Sequence, residues 1–294
     1  MKTTISSIAF LLLISLTTWS CQKEEAISPT VTSLDQYTIS ALSNKTYTQV
    51  VEDLACIETI KELFISSDWV LNLSFLENLK EIGSLTLNEC PNLVDLNSLA
   101  KVKVSDLFIS HCPSIQLISN FDFTVDLQTL FIDSCINLVN VEFPELNTVG
   151  KTVFIQNSPK LELFSLPKLQ SVEENFVITN CALLTILDCS ALETVGEDFL
   201  LDQNERLVTL DGFSALNEVN GDKLFINNNA MLSDLTGLSG LTKVNEIFIK
   251  NNNIADFCPL KELIINNPDL YFEMERKENG QTTQLDRDYF LACE

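Results

Sequence analysis

A nine-fold internal repeat constrains this chain more than any other feature. A core of apolar, variable and apolar residues occurs as Leu63-Phe64-Ile65, Leu85-Thr86-Leu87, Leu107-Phe108-Ile109, Leu130-Phe131-Ile132 and Val153-Phe154-Ile155. It continues as Phe176-Val177-Ile178, Phe199-Leu200-Leu201, Leu224-Phe225-Ile226 and Ile247-Phe248-Ile249. Successive third positions lie 22, 22, 23, 23, 23, 23, 25 and 23 residues apart. A period of two within each core is that of a β-strand whose first and third residues point inward. Repeats this short cannot bury an apolar face alone, so they must stack into a shared core. The expected fold is mainly β, a right-handed β-solenoid of about nine coils of about 23 residues, closed by caps at both ends.

Three residues after each core come Asp68, Cys90, Cys112, Cys135, Ser158, Cys181, Asn204, Asn229 and Asn252. A short polar side chain repeating in register can satisfy the backbone groups left at a corner. Asn also tolerates left-handed conformations, which accounts for 26 Asn beside only 8 Gly. The second half of each repeat carries apolar residues every third position, as in Leu207-x-x-Leu210-x-x-Phe213-x-x-Leu216-x-x-Val219. That spacing suits short extended segments and tight bends rather than an α-helical stripe.

The stretch Leu127-x-x-Leu130-x-Ile132-x-x-Cys135-x-x-Leu138 resembles the strand pattern of leucine-rich repeats. Together with Phe143-Pro144-x-Leu146-x-x-Val149, it makes residues 60–260 similar to the receptor L-domain family. That family includes ligand-binding domains of growth-factor and insulin receptors, and bacterial surface lipoproteins also carry such repeats. The resemblance implies a leucine-rich-repeat-like solenoid serving as a binding platform. It supplies no ligand-contact residues, because such repeats bind many unrelated partners.

At the N-terminus, Lys2 precedes an apolar run from Ile8 to Leu16 that is too short to span a bilayer. Residues 1–20 read as a lipoprotein signal peptide. Ser20-Cys21 resembles the bacterial lipobox junction, which makes Cys21 the acylated first residue. Gln22-Lys23-Glu24-Glu25 resembles the export signal of Bacteroidetes surface lipoproteins. Lipidation at Cys21 implies a membrane partner through its acyl chains, on the outer membrane and facing the cell exterior. The alternative is a cleaved, soluble exported protein. Residues 21–49 read as the lipidated Cys and a tether, 50–257 as an N-terminal cap and the solenoid, and 258–294 as a C-terminal cap.

The formal charge of −23, from 41 Asp+Glu against 18 Lys+Arg, excludes nucleic acid as a partner. The lone histidine, His111, next to the Cys112 rung, leaves little room for His-based catalysis or metal binding. No enzyme function, cofactor or metal is expected; the alternatives to a binding platform are a structural, self-associating envelope component and, behind it, a degradative enzyme. Cys90, Cys112, Cys135 and Cys181 stand where Asn204, Asn229 and Asn252 stand in other repeats, so they read as rungs of a structural ladder. Inter-coil disulfides and metal ligation are the alternatives. Cys258 and Cys293 form a candidate cap disulfide, with free thiols as the alternative. The middle strand positions Phe64, Phe108, Phe131, Phe154, Phe225 and Phe248 would stack outward as a candidate binding face, flanked by Glu62, Asp106, Asp133, Asp198, Asp202 and Glu246. Such a face fits an extracellular protein, peptide or glycan, or self-association. Rings stacked only on one another, or covered by a terminal segment, are the bland reading.

Overall fold

The computed structural model describes residues 31–43, 45–119 and 127–293. Cys21, the signal segment and the first part of the expected tether lie outside the described residues. The chain is mainly β and is organised around one large sheet of twelve strands in chain order. These are β1 (Ser33–Ser40), β2 (Thr59–Ser66), β3 (Glu81–Asn88), β4 (Lys103–Ser110), β5 (Thr129–Asp133) and β6 (Val153–Gln156). They continue as β7 (Phe176–Thr179), β8 (Phe199–Asp202), β9 (Lys223–Asn227), β10 (Glu246–Lys250), β11 (Tyr271–Glu278) and β12 (Gln281–Gln284). Neighbours pair in parallel except for the terminal β11–β12 hairpin. Parallel pairing of consecutive strands is compatible with a β-solenoid, since each return path must run behind the sheet.

The period-two cores behave as their chemistry requires. The first and third residues of all nine are buried, and the middle residues lie on the opposite face. Behind the sheet, the returns form two four-stranded parallel sheets of two- and three-residue strands. One joins Leu117–Ile118, Asn140–Glu142, Leu163–Ser165 and Ile186–Asp188; the other runs from Thr148–Val149 to Glu218–Val219. Elsewhere the returns contain single 3-10 turns such as Asp211–Phe213 and Thr236–Leu238. Apolar residues at every third position suit both forms, because each turn or short strand buries one side chain. Phe176, Phe199 and Phe213 join across the interior, with Phe176 and Phe199 stacked at 5.3 Å and Phe213 edge-on to Phe199 at 4.8 Å.

Two segments differ from expectation. Residues 33–43, read as tether, instead form β1 and a short 3-10 turn, and β1 pairs along its length with β2. Residues 271–274, read as cap, form the start of β11 and extend the parallel ladder beyond β10. In each, an apolar pair replaces the missing repeat: Tyr37 and Ile39, and Phe272 and Met274, stand in register with strand-core positions. The N-terminal cap itself contains α1 (Tyr47–Leu54), opened by a capping box between Thr46 and Gln49.

In that cap the Tyr37 hydroxyl donates to Asp53 at 2.7 Å, and Lys45 pairs with the same carboxylate at 2.6 Å. Burial of the phenol, reinforced by the bond to Asp53, pushes Tyr37 up to about 12. Its contribution to stability is therefore complete below the ordinary tyrosine value near pH 10 and is lost as pH rises through about 12. Ultraviolet titration should show a late tyrosinate that moves to ordinary values on unfolding and disappears in Tyr37→Phe.

Candidate functional site

The outward face of the large sheet carries one continuous register row. Phe64 pairs with Thr86, Thr86 with Phe108, Phe108 with Phe131 and Phe131 with Phe154. The row continues through Val177 and Leu200 to Phe225 and Phe248, and ends at Glu273. All six phenylalanines singled out in the sequence thus share one row. Phe131 and Phe154 stack at 5.2 Å with planes 8° apart, while Phe108 tilts onto Phe131 at 6.0 Å. Phe225 and Phe248 lie 6.3 Å apart, and Tyr271 extends the second cluster at 5.9 Å from Phe248. Five of the six are half-buried by their neighbours, and Phe64, beside Thr86, is 37% exposed. Ring contacts therefore cover part of Phe108, Phe131, Phe154, Phe225 and Phe248 and leave their outer parts in water.

Polar rows border the aromatic one. Glu62, Asp106 and Glu246 lie two residues before Phe64, Phe108 and Phe248, Asp133 lies two after Phe131, and Asp198 and Asp202 flank Leu200 of the same row. Against these six carboxylates stand Lys223 and Lys250, and Lys250 is itself paired with Glu273. The Asp106 carboxylate lies 3.6 Å from Lys151. Asp133 and Asp202 are held by amide donors: Asn157 Nδ2 donates to Asp133 at 2.9 Å and Asn228 Nδ2 to Asp202 at 2.7 Å. Asn180 donates to Asn157 and Asn251 to Asn228, so two short amide chains fix this border. The face is aromatic, acidic on balance and partly preorganised.

The amides that donate to this border lie on the corner, where the sequence reading needs correction. The left-handed residue is not the rung but the one before it. Glu89, His111, Ser134, Asn157, Asn180, Gln203, Asn228 and Asn251 all have φ between 51° and 57°. Asn tolerates this region best, but Glu, His and Gln also occupy it here, so no single residue type marks the column. His111 is thus an exposed corner residue, in an open depression of about 450 Å³ that Asp68 and Glu89 also line. In the first repeat the corner is one residue shorter. Buried Ser67 takes the rung position there and Asp68 is exposed, contrary to the sequence alignment of repeats. Glycine serves another purpose: a Cβ on Gly212 would sit 1.8 Å from the Leu187 carbonyl oxygen, so successive repeats meet there backbone to backbone.

Behind the corner run the rungs. The Cys181 N–H donates to Asn204 Oδ1, Asn204 N–H to Asn229 Oδ1 and Asn229 N–H to Asn252 Oδ1, at 3.0–3.1 Å. Each amide also donates back to a carbonyl: Asn204 to Ile178, Asn229 to Leu201 and Asn252 to Ile226. Cysteine reproduces both contacts in weaker form. Cys90 Sγ donates to the Ile65 carbonyl at 3.4 Å and accepts from the Ser67 backbone N–H; Cys112 Sγ lies 3.7 Å from the Leu87 carbonyl and accepts from Cys90 N–H. Cys90, Cys112, Cys135, Cys181 and Cys189 are buried free thiols. Burial pushes Cys135 up to about 11 and Cys181 up to about 12, which keeps both protonated and unreactive at neutral pH.

Cys258 and Cys293 form a disulfide with Cα atoms 5.7 Å apart. Among the described residues no group of three His, Cys, Asp or Glu side chains is placed to hold a metal ion, and no helix is long and apolar enough to cross a membrane.

The fold thus places the chain among mainly β proteins built on a large parallel sheet. No protein-family profile matches the sequence, and no curated protein matches it.

Proposed function

We propose that this chain is a non-catalytic, surface-anchored lipoprotein. It uses a leucine-rich β-solenoid of receptor L-domain type as a binding or adhesion platform for an extracellular protein, peptide or glycan. The observation that carries the reading is the register row of six phenylalanines on the outer face of the large sheet. Exposed apolar rows of this length mark interaction surfaces. The surrounding excess of carboxylates favours partners with cationic or hydrogen-bond-donating groups, for which ring faces and carboxylates are complementary. Catalysis is not part of the reading: the single histidine is a backbone corner, and among the described residues no three His, Cys, Asp or Glu side chains converge as a metal site would need.

Phe131→Ser/Phe154→Ser tests the face at its stacked centre. The double variant should keep its folded circular-dichroism spectrum and lose on the order of tenfold or more in affinity for ligands found on protein and glycan arrays. Full retention of binding by the folded variant would contradict the role of the row. Mass spectrometry of the native N-terminal peptide tests the address, with diacylated Cys21 expected. An unmodified Cys21 would contradict the anchor. Self-association through the same row predicts a concentration-dependent dimer in light scattering that the double variant abolishes.

A further inference from the structure

The N-terminal cap carries an apolar-aromatic surface that the Phe row does not include. Tyr47 and Val51 lie one turn apart on α1 and are 49% and 39% exposed. Tyr47 packs edge-on against Trp69 at 6.2 Å, and Phe75 closes the cluster from below at 6.1 Å from Trp69. The Tyr47 hydroxyl meets Ser74 Oγ at 3.1 Å, so the ring is fixed with its polar tip bonded and an edge in solvent. Exposed tyrosine, half-buried tryptophan and a neighbouring aliphatic residue make a surface suited to the boundary between water and acyl chains.

We propose that this cap surface rests on the lipid bilayer that holds the anchor. The inference depends on the acylation of Cys21 proposed above. Two further observations single out lipid as the occupant. The ten-residue step from Cys21 to Val31 reaches at most about 35 Å when fully extended. It enters the fold at β1, the first strand of the sheet, and α1 follows within the same cap. The acyl anchor therefore keeps this cap, rather than the far end of the sheet, near the membrane. Charge then selects the lipid. Lys45, the cation of this cap nearest α1, is paired with Asp53, and Lys61 and Lys80 pair with Asp35 and Glu58. With these three cations paired and a chain charge of −23, the surface fits zwitterionic headgroups and not anionic ones.

The two tryptophans of the sequence are Trp19, in the signal segment, and Trp69, so the processed chain reports on this surface through one fluorophore. The acylated mature protein, with Cys21 acylation confirmed by mass spectrometry, is reconstituted into phosphatidylcholine vesicles with and without brominated acyl chains. Trp69 emission is expected to fall about twofold in the brominated vesicles, as for a ring seated at the acyl boundary. Val51→Glu, a change at an exposed helix position, should restore emission to the unbrominated level, whereas Ile186→Glu, at a 55% exposed site on the back sheet, should not. Unquenched Trp69 in an acylated, vesicle-bound chain overturns the proposal while leaving the anchor intact. An unmodified Cys21 in the native protein overturns the anchor and removes the ground for docking. A lipid-free dimer abolished by Val51→Glu overturns the proposal in favour of a second copy on this surface.

Discussion

Replacing Asn229 with alanine is expected to destabilise the protein by about 2–5 kcal/mol, because two buried backbone groups lose their partners at once. Asn229 Oδ1 accepts from the Asn204 backbone N–H, and its Nδ2 donates to the Leu201 carbonyl. Neither group has water to turn to, since both Asn204 and Leu201 are fully buried. The loss sits at the junction between successive repeats, whose stability depends on nearest-neighbour contacts. Denaturant unfolding followed by circular dichroism should show a lower midpoint, and hydrogen exchange should accelerate first from β8 to β11. Cys112→Ala should cost less, since a thiol makes weaker versions of the same two bonds. Equal penalties at the two positions would show that the rungs act through volume rather than hydrogen bonding. An unchanged midpoint for Asn229→Ala would remove the ladder as a source of stability.

The second large effect lies in the C-terminal cap. Cys258→Ser/Cys293→Ser opens a crosslink between residues 35 apart and is expected to cost roughly 3–4 kcal/mol by loop entropy. The cap has work to do beyond that bond. Phe290 on α3 (Arg287–Leu291) is fully buried, and the Phe257 N–H donates to the Tyr289 hydroxyl at 3.1 Å. Arg287 donates to the carbonyls of Ile264, Asn267 and Leu270, which ties α3 to the end of α2 (Lys261–Asn266). Loosening the cap uncovers Phe272 on β11, against which Phe290 packs edge-on at 5.8 Å, and an uncapped stack of repeats is prone to associate end to end. The serine variant should therefore unfold earlier in denaturant and gain aggregates in light scattering. If it unfolds at the same midpoint as the parent, packing and Arg287 alone hold the cap.

The strand cores were legible because burial imposes period two on every copy, and a period near 23 cannot hide when nine copies keep it. The rungs were legible for a related reason: only a small polar side chain can reach both a neighbouring N–H and a carbonyl from inside the corner. What escaped the sequence was set by backbone and not by side-chain chemistry. The left-handed column accepts Glu89, His111 and Gln203 as well as Asn157, so no residue pattern announces it. The flanking strands β1 and β11 hide among polar residues, with Tyr37-Thr38-Ile39 and Phe272-Glu273-Met274 lying 26 and 25 residues from the nearest core. Both carry the same apolar-x-apolar core, displaced from the even spacing of the other nine. Seven of the 26 Asn fall in two adjacent columns, Asn204, Asn229 and Asn252 as buried rungs and Asn157, Asn180, Asn228 and Asn251 as left-handed corners, and only the corner column borders the aromatic face.

Whether that face recognises a partner is tested most directly by hydroxyl-radical footprinting of the mature protein, free and bound to its strongest array ligand. Phenylalanine rings left half in water should be modified in the free chain and protected in the complex at Phe108, Phe131, Phe154 and Phe225, with Ile186 on the back sheet unchanged. Equal modification of the Phe row in both states, with protection elsewhere, would contradict the assignment of the sheet face as the recognition surface.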